Sequence, residues 1–191
     1  ALVVRHLDPL DDHVRQRLLA FEADTGIRIY GQGAGPDSVR PLAGEARLLR
    51  YELPQFDLRM AFQPLDFVQV NGDLNRLMVS RAVELLSPAR SDRVLDLFCG
   101  LGNFSLPLAR RAGSVLGLEG DQGLVERARA NARSHDLDQA VFEVSDLYGE
   151  RPEGWRSERF DLALLDPPRP GAGAVLDQLA GGGPRRIVYV S

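Results

Sequence analysis

The chain has 191 residues, 44% hydrophobic and 26% charged, which is enough for a real core and ordinary for a globular domain. No apolar run approaches 18 residues and the start lacks a basic-then-apolar leader, so neither a membrane span nor a signal peptide is expected, and the cytoplasm is the expected compartment. The net charge of −4 argues against a nucleic-acid binder by charge alone, although all 23 basic residues are arginine, and a local basic surface remains compatible with it.

In chain order, Leu2 to Arg5 reads as a short strand. Asp11 or Asp12 then caps a helix with Val14, Leu18, Leu19 and Phe21 at helical spacing. Gly26 stands where a helix end wants a left-handed residue, Ile27 to Tyr30 is a strand, and Gly31 to Gly44 is a glycine- and proline-rich connection. Ala46 to Leu53 and Leu58 to Phe62 alternate like paired strands. Residues 1–70 therefore form a small α+β subdomain, and nothing in it looks catalytic.

From Asn71 the pattern changes to alternating strand and helix. Asn71 caps a helix over Gly72 to Leu86 that Pro88 stops. Strands fall at Arg93 to Phe98, Ser114 to Leu118, Ala140 to Val144, Phe160 to Leu165 and Arg186 to Val190. Helices fall near Phe104 to Arg111, Gln122 to Ser134 and Gly173 to Leu179. Continuous apolar strands between amphipathic helices imply a parallel sheet covered on both faces over residues 71–191. Ligands of such sheets bind beyond the carboxyl ends of the strands, where Phe98, Glu119, Asp146 and Asp166 fall.

Three motifs carry chemistry. Cys99-Gly100-Leu101-Gly102-Asn103 is a glycine turn after the first strand, in which Asn103 could cap the next helix or reach a ligand carboxylate. A dinucleotide fingerprint would need Gly or Ala at 105, where Ser105 stands, so a methyl-donor nucleoside suits the loop better. Glu119 can accept from both hydroxyls of an adenosine ribose, and Asp146 from the adenine amino group, unless Ser145 and Asp146 simply cap a short helix. Asp166-Pro167-Pro168-Arg169 is a stiff strand-end turn whose Arg169 can stack on a base or pair with a phosphate. An amino-group methyltransferase would carry an aromatic residue at 169. Cys99 reads as structural or cofactor-adjacent, and His6, His13 and His135 stand alone, so no metal site is expected.

Together, Phe67-Val68-Gln69-Val70-Asn71, Asp96 to Phe104, Gly117-Leu118-Glu119-Gly120, Asp166 to Gly171 and Ile187 to Ser191 resemble the RNA uracil-C5 methyltransferase family. Val4-Arg5-His6-Leu7 and Pro36 to Leu42 are most similar to its bacterial 23S rRNA branch. The resemblance implies a Rossmann-like S-adenosylmethionine-dependent methyltransferase fold, here with five strands ordered 3-2-1-4-5. It also implies cofactor contacts from Gln69, Phe98, Gly100, Asn103, Glu119, Asp146 and Asp166, with Arg169 beside the substrate. Pro170 departs from the small residue usual in the family.

In the family a cysteine just beyond the position of Ser191 attacks uracil C6, and a later glutamate removes the C5 proton. The resemblance thus implies a central piece that holds the cofactor site but not the nucleophile and is inactive alone. An iron-sulfur cluster would belong to a region ahead of this chain. The implied partner is 23S rRNA, and an uncovered fifth strand would favour self-association. The alternatives are a non-catalytic RNA- or partner-binding module and a methyltransferase acting on another RNA such as tRNA.

Overall fold

The computed structural model describes residues 1–149, 158–179 and 183–191. It divides into two compact units, residues 1–50 with 61–67, and residues 51–60 with 68–191. The division therefore does not fall at position 70 alone, since residues 51–60 group with the C-terminal unit.

The first unit holds β1 (Leu2–Arg5), α1 (Asp12–Thr25), β2 (Ile29–Gln32) and β3 (Arg40–Pro41). The Asp11 side chain accepts from the Val14 N–H at the start of α1, and Gly26 closes the helix at φ 69°. β1 runs parallel to β2, pairing Leu2 with Ile29, and β3 lies antiparallel on the other side. This register moves the second strand two residues later than its apolar start suggests. Pro41 is tolerated in β3 because an edge strand can lack one donor. β4 (Leu49–Leu53) and β5 (Leu58–Phe62) form a two-stranded ribbon.

The second unit contains α2 (Gly72–Leu86), β6 (Arg93–Leu97), α3 (Ser105–Ala109), β7 (Ser114–Glu119), α4 (Gln122–Arg133), β8 (Ala140–Val144), β9 (Leu162–Leu165), α5 (Gly173–Leu179) and β10 (Arg186–Tyr189). Asn71 caps α2 by accepting from the Leu74 N–H, and Asp121 does the same for α4 at Leu124. The five strands are ordered β10-β9-β6-β7-β8, as the resemblance implies, and all are parallel, as the alternating pattern predicts. β6 is central, and its Val94, Leu95 and Leu97 are fully buried. Leu95 and Leu97 pack with Leu118, Ala163, Leu165, Val175 and Leu179 in one core.

Gly117 is required by close packing. A Cβ there would lie 2.6 Å from the Phe142 ring and 2.9 Å from Cys99 Sγ. At the sheet's far edge β10 is largely exposed.

Candidate functional site

The register of the three central strands brings the site together. Leu97 is opposite Leu118 on one side and Leu165 on the other, so the next positions, Phe98, Glu119 and Asp166, form one row at the strand ends. Two further backbone bonds hold that row: the Cys99 N–H donates to Leu118 O at 3.1 Å and the Asp166 N–H to Leu97 O at 3.3 Å. Phe98 is at φ 65°, unusual for a side chain of that size, and turns the chain sharply off the strand. Gly100 and Gly102 follow at φ 55° and 94°. A Cβ on Gly102 would touch Leu106 and Phe142, whereas beside Gly100 lies open space.

Glu119 closes β7 and is half-buried. One of its carboxylate oxygens accepts from the Gly100 N–H and the other from the Asp121 N–H, each at 3.1 Å. Each oxygen keeps a second lone pair for a ligand hydroxyl. Asp96, in the middle of β6, is fully buried and bonded to the Ser105 hydroxyl through one oxygen. Its other oxygen is buried without a partner. Burial, reinforced by the nearby Asp166 and Glu119 charges against the Ser105 bond, raises Asp96 to about 7. Burial likewise raises Asp166 to about 6. Three carboxyl groups therefore converge on a site that favours ligand groups able to donate hydrogen bonds.

Asp146 follows β8 in a turn, where its side chain accepts from the Tyr148 N–H at 3.0 Å. Among the described residues a turn, and no helix, follows Asp146. The Tyr148 ring lies 5.5 Å from Phe98, and its hydroxyl donates to Gly171 O at 3.1 Å, tying this turn to the loop after β9. That loop closes through the Gly171 N–H donating to Pro168 O at 2.8 Å, which leaves Arg169 and Pro170 exposed.

Asn103 does not cap α3. The position before Ser105 is Phe104, and no side chain caps that end. Its amide instead meets Asn75 of α2 and Tyr51 of β4. Gln69 lies half-buried two residues ahead of the α2 cap. Cys99 is buried, and burial pushes its thiol well above the usual range, against a thiolate there. Among the described residues no cluster of His, Cys, Asp and Glu could hold a metal, and no helix is long and apolar enough to cross a membrane.

Tyr148, Tyr51 and Asn75 escape a reading of the sequence as site residues. Tyr148 has one local signal, its place two residues after Asp146. Asn75 lies one helical turn after Asn71, and Tyr51 has no signal at all.

A family model described as a methyltransferase domain matches residues 89–179. Over its whole length the chain is 50% identical to the 23S rRNA (uracil(1939)-C(5))-methyltransferase RlmD of Xanthomonas axonopodis pv. citri, and 52% identical to the RlmD of Xylella fastidiosa strain Temecula1. It spans 43% of the length of each. Among solved structures, the Pyrococcus abyssi tRNA (uracil-54, C5)-methyltransferase in complex with S-adenosyl-L-homocysteine matches with a TM-score of 0.67 and 27% identity, over 85% of this chain and 40% of that one. The chain is thus similar over its whole length to RNA uracil-C5 methyltransferases, and its five-stranded sheet matches the fold of one of them.

Proposed function

We propose that this chain supplies the S-adenosylmethionine site of an enzyme that methylates C5 of a uridine in 23S rRNA. The observation that carries the reading is the row of Phe98, Glu119 and Asp166 beside the open Gly100 turn, in a chain half identical to 23S rRNA uracil-C5 methyltransferases throughout. The residues fit the cofactor. Glu119 offers two oxygens to the ribose hydroxyls, and the unpartnered Asp96 oxygen lacks a donor that a bound ligand or its water can bring. Asp146 suits the adenine amino group. Gln69, Asn103 and Asp166 supply the remaining polar contacts, and Phe98 and Tyr148 an aromatic wall.

When bound, the cofactor supplies a methyl group on a positively charged sulfur. The chain's own residues hold it in place, and their carboxyl groups favour its cationic end. Arg169, exposed at the end of a stiff turn, is placed to meet a base or phosphate of the RNA. The only cysteine, Cys99, is buried, so these 191 residues alone bind cofactor without methylating RNA. An rRNA substrate puts the enzyme in the cytoplasm.

Photo-crosslinking with radiolabelled S-adenosylmethionine tests this reading. Label should attach to the chain, be displaced by S-adenosylhomocysteine and not by NAD, and fall away in Glu119→Ala. Displacement by NAD, or equal labelling of that variant, contradicts it.

A further inference from the structure

A three-residue polar network lies directly behind the glycine turn. Asn103 Oδ1 accepts from the Tyr51 hydroxyl at 2.8 Å and from Asn75 Nδ2 at 3.0 Å, while Asn103 Nδ2 donates to Asn75 Oδ1 at 3.0 Å. Asn75 is 3% exposed, on the inner face of α2. Burial raises the Tyr51 hydroxyl well above its ordinary value, so it stays protonated and able to donate at any working pH. Buried polar groups that satisfy one another are costly to disturb and fix a single side-chain arrangement. Both lone-pair directions of Asn103 Oδ1 are filled, and one N–H of Nδ2 is used. The valence left to the amide is its second N–H, a donor.

We infer that Tyr51 and Asn75 are positioning residues that lock the Asn103 amide as a single-donor group for the carboxylate of the cofactor's amino-acid end. The inference rests on the cofactor reading above. Asn75 also ties the start of α2, which follows Gln69, to the turn that carries Phe98 and Gly100. The lock therefore joins two segments of the proposed site that are otherwise far apart in sequence. Neither residue touches the cofactor, and each acts through Asn103.

Calorimetric titration of the 191-residue chain tests this with two probes, S-adenosylhomocysteine and 5′-methylthioadenosine, which lacks the amino-acid end. Tyr51→Phe keeps the ring and removes the hydroxyl's bond to Asn103, so S-adenosylhomocysteine should bind about three- to tenfold more weakly. Asn75→Ala should cost at least as much. Methylthioadenosine affinity should change by less than about twofold in both variants. In an Asn103→Ala background neither substitution should cost anything further, the signature of residues acting through a third.

Equal losses for both probes, or losses that add fully to that of Asn103→Ala, would show general packing and overturn the inference. So would an unchanged affinity in folded Tyr51→Phe, even if Asn75→Ala failed to fold. Absence of S-adenosylhomocysteine binding by the folded unmutated chain would instead overturn the cofactor reading itself.

Discussion

The Glu119 carboxylate accepts a hydrogen bond from the Gly100 N–H at 3.1 Å, joining the end of β7 to the glycine turn that follows β6. One side chain thus holds the turn in place and presents acceptors at the site. Glu119→Gln keeps one acceptor oxygen but replaces the other with a donor. It should weaken S-adenosylhomocysteine binding about tenfold, and Glu119→Ala more severely, because charged acceptors make stronger bonds than neutral ones. Isothermal titration of the two variants checks the order, and equal affinity for wild type and Glu119→Gln would contradict it.

The buried carboxyl groups give the fold a pH dependence of definite sign. Asp96 and Asp166 are raised to about 7 and about 6, above their unfolded values near 4. At these two groups the folded state binds more protons than the unfolded one in that window, so their contribution to stability is full below about pH 4 and is lost as pH rises towards 7. Asp96→Asn removes the buried charge and should flatten the slope, gaining on the order of a few kcal/mol at pH 8 relative to wild type. Thermal unfolding from pH 5 to 8 measures it. A ligand that donates to these carboxylates should bind more tightly as pH rises through the same window.

Gly117 predicts a packing cost. Gly117→Ala would drive its methyl group into the Phe142 ring and Cys99 Sγ, destabilising the domain by about 1–3 kcal/mol in urea unfolding. Unchanged stability would mean that β7 and β8 are farther apart than described.

Much of this was legible because the signals are local. Continuous apolar runs mark β6 to β10, and the glycine turn, Glu119 and the Asp-Pro-Pro-Arg turn mark the ends of three strands adjacent in the sheet, β6, β7 and β9. Nearer the N-terminus the expected strand Ala46 to Leu53 begins only at Leu49. The Arg28 guanidinium donates to Ala43 O and Glu45 O, holding the preceding stretch as a loop. Asn103, open to capping a helix or reaching a ligand, does not cap α3, for a similar reason. Its partners lie 52 and 28 residues away, and such a pairing leaves no trace in local spacing. Tyr148 reaches Gly171 across 23 residues and was equally hidden.

The edge strand β10 presents Ile187 and Tyr189 at 39% and 42% exposure. Unprotected edges pair with other chains, so the 191-residue chain should gain apparent mass with concentration in light scattering. Ile187→Lys should suppress the gain. A strictly monomeric wild type with slowly exchanging β10 amides would contradict this.

The most direct measurement is calorimetric titration of the unmutated chain with S-adenosylhomocysteine, beside NAD. Saturable one-to-one binding of S-adenosylhomocysteine with no heat from NAD is the expected result. A folded sample that binds NAD, or binds neither, would contradict the assignment of the strand-end row to this cofactor.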